Sequence, residues 1–490
     1  MPARSQDAAR RLSCLTARAS LVALVAAATL GLGGVNAAAE SLREAMASAY
    51  KYNPRLDAER ARLRATDEEV PRAMSGYRPR IFGEADVNFQ NTNTRPDTAT
   101  EGRLYPKGYA LSLQQNLFNG FQTTNAVREA EAGVRAGREA LRDTERSVLL
   151  EAVTAYVDVV RDAAVVKLQE NNVQVLSREL KATQDRFDLG EVTKTDLAQA
   201  QARRAGAVSQ LDLARANLKT SRAIYERIIG HPPSNVVDPG APEKLLPKTI
   251  EAALSIGENE NALIVGALYR EQSSRHTVDR IRGELLPEVN LEASYSDRFD
   301  TARAIDEVES TQVTGRLTVP IYQGGEVSAR VRQAKHVHVS RLQEIEQVRT
   351  EVRQAVVASW SQLQAARAQV LSDQTQVEAN RSALEGVREE EKVGQRTLLD
   401  VLNAEQEYLN AQVQLVTTKR NLVVAAYSLL SAIGRLEMPT VGAVANVYDA
   451  EAHYHEVRRK WWGLSITHGD GRHEFLDLWD RDRDQPAPMK

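Results

Sequence analysis

The chain has 490 residues and a formal net charge of −3, with 26% charged and only 5% aromatic residues. Nearly balanced charge without a basic block disfavours nucleic acid as a partner. The one cysteine, Cys14, lies near the N-terminus, so no disulfide is expected in the mature chain. No phosphate-binding loop, nucleophile elbow or catalytic carboxylate pair is present, so neither an enzyme nor a cofactor is expected.

Residues 1–39 are typical of a secretory signal peptide. Arginines precede an apolar run at 21–34, and the following Ala37-Ala38-Ala39 predicts cleavage before Glu40. After this segment, no apolar stretch approaches the ~18 residues that a membrane-spanning helix needs. Any membrane span in the mature chain must therefore use strands.

The mature sequence contains an internal duplication. An offset of 208 aligns Asn53 with Asn261, and after a variable loop an offset of 204 aligns Gly190 with Gly394. We therefore expect a modular organisation. Its segments are a first structural repeat (40–240), a linker (241–248), a second repeat (249–440) and a C-terminal tail (441–490).

Each repeat is predicted to contain a helix, two strands, a very long helix, a tight turn and another long helix. The predicted boundaries are 41–75, 79–91, 107–118, 121–188 and 193–229, then 249–284, 287–297, 311–321, 325–392 and 397–433. Apolar residues seven apart, such as Val134, Leu141 and Val148, indicate left-handed coiled coils. At ~1.5 Å per residue a helix of ~68 residues is ~100 Å long, which suggests a rod or a conduit.

The strands alternate between apolar and polar residues. Val289 and Leu291 point one way, while Asn290 and Glu292 point the other. This alternation is typical of a barrel with lipid outside and water inside, although a half-buried soluble sheet has the same pattern. Because open edges are not tolerated in lipid, a membrane sheet of four strands requires several chains, and three chains would supply twelve strands.

Together with the hairpin tips at 186–190 and 393–404, this architecture resembles the TolC family of outer-membrane efflux and secretion proteins. The resemblance implies an α+β membrane protein, in which each protomer gives four strands to a trimeric twelve-stranded barrel. Long coiled-coil helices would form a periplasmic α-barrel below it. The implied location is the outer membrane of a Gram-negative bacterium, with extension into the periplasm.

The resemblance also implies a function and partners. The chain would be the exit duct of a tripartite efflux pump or a type I secretion system. Its partners would be two further copies of itself, a periplasmic adaptor, an inner-membrane transporter of the RND or ABC type, and outer-membrane lipid. The alternative is a periplasmic coiled-coil adaptor or scaffold without a pore, although such adaptors have one hairpin and this sequence has two.

Several residues at the tips match the family's gate, and these assignments come from the resemblance. Asp400 matches a pore-constricting aspartate, and Asn403 stands where a second one is expected. Arg396 matches a gate arginine that bonds across to a Thr-Asp pair, here Thr195 and Asp196. Glu391 replaces a gate tyrosine and is an alternative partner for Arg396. The tip residues expected near the adaptor are Gly190, Gly394, Thr193 and Thr397.

The two acids Asp196 and Asp400 can also be interpreted as helix caps. Thr193 to Asp196 and Thr397 to Asp400 are capping-box patterns that follow a helix-ending glycine. Three Asp400 carboxylates around a narrow axis would also hold a cation in common. Both roles stay open, and they are compatible because an acid in the first helical turn can cap the helix and still face a pore.

The remaining features indicate no ligand site. His336 and His338, like His453 and His455, are two apart without a third ligand, so no metal site is expected. The tail is expected to be partly disordered. Its Trp461-Trp462 pair is predicted to pack a short helix onto the equator of the tunnel, in preference to a membrane interface.

Overall fold

The computed structural model describes residues 40–93, 95, 102–302, 305–441, 447–467 and 473–474. The predicted signal peptide, 1–39, lies outside the described residues. The elements of the first repeat are helices α1 (Leu42–Tyr52), α2 (Pro54–Asp67) and α3 (Glu69–Met74), a 3₁₀ turn (Ser75–Tyr77), strands β1 (Arg80–Val87), β2 (Gln90–Thr92), β3 (Gly102–Leu104) and β4 (Lys107–Asn119), and helices α4 (Gln122–Asp188) and α5 (Lys194–Ile229).

The second repeat follows the same order after a 3₁₀ turn, Glu243–Leu245. Its elements are helices α6 (Ile250–Glu260) and α7 (Ala262–Gly283), strands β5 (Glu288–Ala302) and β6 (Ile305–Thr318), and helices α8 (Glu326–Lys392) and α9 (Leu398–Ala432). Helix α10 (Met438–Val441) lies at the end of the second repeat, and the tail contributes α11 (Ala452–Val457), β7 (Ile466–Thr467) and β8 (His473–Glu474). Among the described residues, no helix is both long enough and apolar enough to cross a bilayer.

The predicted first helix of each repeat is broken, and the prediction of one continuous helix was wrong. Asn53 separates α1 from α2, and its Oδ1 accepts a hydrogen bond of 3.0 Å from the backbone N–H of Arg55. Pro54 occupies the first turn of α2, where a missing N–H is tolerated. Asn261 breaks the second copy in the same way, accepting at 2.9 Å from the N–H of Leu263.

Both asparagines also make a second, long-range hydrogen bond. Asn53 Nδ2 donates to the carbonyl oxygen of Ile228 at 3.0 Å, and Asn261 Nδ2 donates to that of Ala432 at 2.8 Å. Ile228 and Ala432 are themselves equivalent under the offset of 204. The same contact therefore occurs once in each repeat, so the duplication found in the sequence is also present in the structure.

Four strands form one antiparallel sheet in the order β1-β4-β5-β6, so the repeats share a sheet through β4 and β5. Strands β5 and β6 extend further towards their connection than predicted. Strand β6 ends at Thr318, so the prediction that 319–321 belong to it was wrong. Pro320 lacks the N–H that a continued strand would use.

The predicted alternation across the sheet is confirmed by its register. One row consists of Ile81, Leu113, Ala293 and Val313, and the neighbouring row consists of Arg80, Gln114, Glu292 and Thr314. On the apolar face Ile81 is 63% exposed and Val313 is 69% exposed. A half-buried sheet would cover these side chains, so the soluble-sheet alternative is wrong for the protomer.

The helices pack lengthwise as the heptads predicted. Val134, Leu141 and Val148 are all buried along α4. The largest core lies where both helical hairpins meet α1, around fully buried Tyr156, Leu363 and Leu429. The Tyr156 hydroxyl donates to the Glu40 carbonyl at 2.7 Å and accepts from the Val237 N–H at 3.0 Å, which fixes the segment before α1 to this core.

Part of the tail packs against this body. Helix α11 contacts α2 through a hydrogen bond between His453 Nδ1 and Asp67 Oδ2 at 3.1 Å, and the residues that flank it, Glu451 and Arg458, form ion pairs with Arg138 and Glu131 of α4. Trp461 and Trp462 lie beyond α11 and are 69% and 90% exposed. The short helix therefore packs without them, and the prediction that this tryptophan pair secures it was wrong.

Candidate functional site: the hairpin tips

The two hairpin tips have the same backbone geometry. Helix α4 ends before Gly190, with φ of 78°, and α8 ends before Gly394, with φ of 77°. The next residue closes the turn in each case: Glu191 N–H donates to Arg186 O at 3.0 Å, and Gln395 N–H donates to Glu390 O at 2.9 Å. Left-handed glycines of this kind end helices because they avoid the Cβ clash.

The second helix of each hairpin begins with the predicted capping box. Thr193 Oγ1 accepts from Asp196 N–H at 3.2 Å, while Asp196 Oδ2 accepts from Thr193 N–H at 2.9 Å. Thr397 and Asp400 make the equivalent bonds at 3.3 and 3.0 Å. The capping interpretation of both acids is thus confirmed.

These caps also set the charge of the acids. Hydrogen bonds from the backbone N–H and hydroxyl of Thr397 lower the pKa of Asp400, and the nearby Arg396 guanidinium lowers it further. Hydrogen bonds from the Thr193 hydroxyl and N–H lower the pKa of Asp196. Both side chains are therefore carboxylates at neutral pH, and both are only partly covered by protein.

Two polar contacts join the tips of one protomer. Arg186 Nη1 donates to Glu391 Oε1 at 2.9 Å, between the ends of α4 and α8. Further from the turn, Arg203 Nη2 donates to Asn403 Oδ1 at 2.7 Å, between α5 and α9. The hydrogen bond to Glu391 raises the pKa of Arg186. The first hairpin thus presents cations to acceptors on the second.

A small core and a buried acid lie just behind these contacts. Leu176, Ala207 and Leu402 form an apolar cluster between the hairpins. Beside it, Glu405 is 6% exposed and forms an ion pair with Arg388. Burial raises the pKa of the neighbouring Glu179. The two hairpins therefore meet through a packed layer near their ends, as well as through surface charges.

The structure brings together only part of the predicted gate. Arg396 Nε donates to Glu390 Oε2 at 2.9 Å, and that bond raises the pKa of Arg396. Within the protomer Arg396 does not bond to Asp196 or Thr195, and the alternative pairing with Glu391 is not formed because Glu391 binds Arg186. The bond from Arg396 across to the Thr-Asp pair stays a prediction for contacts between protomers.

The exposed end of each hairpin carries the other predicted residues. Gly190, Thr193, Thr195, Gly394, Thr397 and Asn403 are all exposed in the protomer. No cluster of three or more potential metal ligands occurs in the part of the chain that the structure describes. The exposed tips of both hairpins therefore present charged side chains and the backbone of two tight turns.

The family described as outer membrane efflux protein matches residues 45–231 and 256–435, one match in each repeat. The chain belongs to the outer membrane efflux protein family. The family's members are channels, and this chain is an outer-membrane channel that extends into the periplasm. The alternative of an adaptor or scaffold without a pore was therefore wrong.

Individual relatives agree with this assignment. The outer membrane efflux protein BepC of Brucella suis is 38% identical over 452 residues, which cover 91% of this chain and 97% of BepC. The outer membrane protein TolC of Escherichia coli is 24% identical over 427 residues, covering 83% and 85%. The CmeC outer membrane channel of Campylobacter jejuni has the same fold, with a TM-score of 0.71, 17% identity, and coverage of 85% and 89%.

Proposed function

We propose that three copies of this family member assemble into one exit duct, which carries cargo from an inner-membrane transporter to the cell exterior. The observation that carries the proposal is the sheet order. Strands β1 and β6 are both edges of a four-stranded antiparallel sheet, and its apolar face is uncovered. Unpaired edges are too costly in lipid, so β1 of one copy would pair with β6 of the next.

The helices extend the same arrangement below the sheet. Helices α4 and α8 each have 67 residues, which at ~1.5 Å per residue corresponds to ~100 Å. Each long helix pairs with the helix that follows it, and both pairs start at the sheet. Three copies would thus continue the barrel as a ring of helices across the periplasm.

The tips would form the gate of this duct. Asp400 is ionised and partly exposed, so three copies around the axis would form an acidic constriction that attracts a cation. Asn403, which accepts a hydrogen bond from Arg203, would line the duct about one helical turn further along α9 without adding charge. Opening would require Arg186 and Glu391 to separate within protomers, and Arg396 to leave Thr195 and Asp196 between protomers.

The partners would meet the duct at the same end. A periplasmic adaptor would dock on the exposed turns that contain Gly190, Thr193, Gly394 and Thr397. An inner-membrane transporter of the RND or ABC type would supply the cargo, through an efflux pump or a type I secretion system. The duct itself would be passive, since the family members are channels and not enzymes.

The test uses the full-length chain purified in detergent. We expect a trimer on a gel that becomes a monomer after heating, and discrete conductance steps in planar bilayers. A monomer that stays soluble without detergent and gives no conductance would overturn the proposal.

A further inference from the structure

A loop in the tail, residues 458–465, is fixed beside the joint between the helices and the sheet. On one side Arg458 Nη2 donates to Glu131 Oε1 of α4 at 2.9 Å. On the other, Arg78 Nη1 donates to the carbonyl oxygen of Lys460 at 2.8 Å. Strand β1 begins only two residues after Arg78. This 458–465 loop therefore lies at the level where the sheet starts.

The 458–465 loop contains two exposed tryptophans. Trp461 packs against the Arg78 guanidinium, which lies 4.9 Å from the ring centroid. Lys460 Nζ donates to Ser465 O at 2.9 Å and closes the loop, while Gly463, with φ of 114°, permits the turn. Even so, Trp462 remains 90% exposed. Large apolar surface that the fold fixes without covering is typical of a binding surface.

The tail lies on the outer side of α4. Glu131 contacts the tail, whereas Gln122 lines a cavity together with Gln114 and Glu292 of the polar sheet face. Gln122 and Glu131 are nine residues apart, which is about two and a half turns, so they point in opposite directions. The 458–465 loop is thus on the side away from the polar face.

Other joints at this level expose large apolar side chains as well. Tyr77 is 49% exposed before β1, Phe121 is 58% exposed after β4, and Tyr322 is 85% exposed after β6. The loop adds cations to this rim, because Arg459 is exposed next to Lys460. Aromatic rings with neighbouring basic residues are the combination found where proteins cross the headgroup region of a bilayer.

We propose that the 458–465 loop is an interfacial anchor that binds the periplasmic leaflet of the outer membrane. The rings of Trp461 and Trp462 insert at the headgroup level, and Arg459 pairs with anionic phospholipid headgroups. The anchor follows from the outer-membrane location and does not require the trimer. It gives each protomer a membrane contact outside its strands.

The test measures where the two tryptophans reside in full-length protein reconstituted into vesicles. The chain has four tryptophans, so Trp360→Phe with Trp479→Phe leaves only Trp461 and Trp462. We expect bromine placed near the headgroup end of the acyl chain to quench their fluorescence about twofold more than bromine near the methyl end. Aqueous iodide should quench weakly. If the double variant fails to fold, the difference between wild type and Trp461→Ser with Trp462→Ser gives the same signal.

Two results would overturn the anchor. Strong quenching by iodide without quenching by bromolipid would place the rings in water. Quenching by neither would mean that another protein surface, such as a neighbouring copy, covers them. Conductance measured on the same vesicles reports separately on the proposed duct, so failure of one proposal is distinguishable from failure of the other.

A second experiment tests whether the positive charge of Arg459 contributes to membrane binding. We expect Arg459→Glu to reduce bromolipid quenching in vesicles that contain phosphatidylglycerol, and to have little effect in phosphatidylcholine alone. Arg222→Glu is the matched control, because Arg222 is exposed on α5. Equal effects in both lipids, or with both variants, would contradict the role of Arg459.

Discussion

The guanidinium of Arg186 and the carboxylate of Glu391 lie 2.9 Å apart and join the two hairpin tips of a protomer. The Arg186 side chain is 48% exposed and that of Glu391 is 20% exposed, so solvent screens the pair. An exposed ion pair contributes only about 0.2–1 kcal/mol. In the proposed trimer this small contribution would occur three times, which would make it a suitable restraint for the proposed gate.

We expect Glu391→Gln to raise the open probability of the resting channel. Three pairs at about 0.5 kcal/mol each would give a change of roughly tenfold. Single-channel recording in planar bilayers measures it. Glu389→Gln is the matched control, because Glu389 pairs with Lys392 in its own helix, at 2.7 Å, and not across the two tips. Equal changes in both variants would contradict a specific role for Glu391.

The second prediction concerns cation block. Asp400→Ala removes the charge and the bond from the Thr397 N–H to the Asp400 side chain, whereas Asp400→Asn removes the charge and keeps a side-chain oxygen that can accept this bond. We expect both variants to need about tenfold more divalent cation for half-block of conductance. Asp188→Asn, at the end of α4, is the control. Unchanged block in both Asp400 variants would remove the constriction assignment.

The pH dependence of this block follows from the sign of the pKa shift. Capping hydrogen bonds lower the pKa of Asp400, so they stabilise the charged form. Their stabilisation is fully present above the pKa of the unfolded chain, about 3.9, and is lost as the pH falls through the lower pKa of the fold. Repulsion within a ring of three acids acts in the opposite direction. We expect block to persist from about pH 7 to about pH 5, and its loss within that range would contradict an ionised, capped Asp400.

The duplicated asparagines provide a matched pair of stability tests. Asn53→Ala and Asn261→Ala each remove a helix cap and a bond to a distant carbonyl, so each should destabilise the fold by about 1–3 kcal/mol. Thermal unfolding followed by circular dichroism measures both. The sites share no partner, so the double variant should show roughly the sum. Asn259→Ala is an exposed control, and an effect as large as that of Asn261→Ala would argue against the cap.

A buried polar pair between α8 and α9 gives the last prediction. Thr418 Oγ1 donates to Asp373 Oδ2 at 2.6 Å, and the two residues are 1% and 7% exposed. Thr418→Val leaves a buried carboxylate oxygen without its donor, so it should cost about 1–3 kcal/mol. Thr417→Val, which loses only a bond to a carbonyl in its own helix, is the control. Equal melting temperatures of the two variants would contradict this assignment.

Local sequence signals predicted much of the fold. Glycines at 190 and 394, followed by threonine caps, located both turns because left-handed glycine and capping boxes are short-range rules. The break at Asn53 also has a local signal, because the Asn-Pro pair places a capping side chain before a proline that is tolerated only in the first turn of a helix. The break at Asn261 has no proline, and its long-range partner is the carbonyl of Ala432, 171 residues away.

The rest required the three-dimensional arrangement. Strand β5 continues past Tyr295, and there Asp297, although acidic, is buried and accepts a hydrogen bond from the Tyr109 hydroxyl at 3.0 Å. Asp297 is the last residue of the predicted strand, and the charged Arg298 and Asp300 concealed its continuation to Ala302. Arg186 and Glu391 are 205 residues apart, so no spacing rule could pair them. Alternation and caps are local properties, whereas contacts between repeats depend on how the repeats pack.

The shared backbone of the two tips makes their differences informative. Under the offset of 204, Arg186 is equivalent to Glu390, and Arg203 is equivalent to Glu407. The two repeats therefore carry opposite charge at the same places in their tips. Because both repeats belong to one polypeptide, each cationic tip of the first repeat is always linked to an acidic tip of the second, and no separate pairing of subunits is needed to bring the two kinds together.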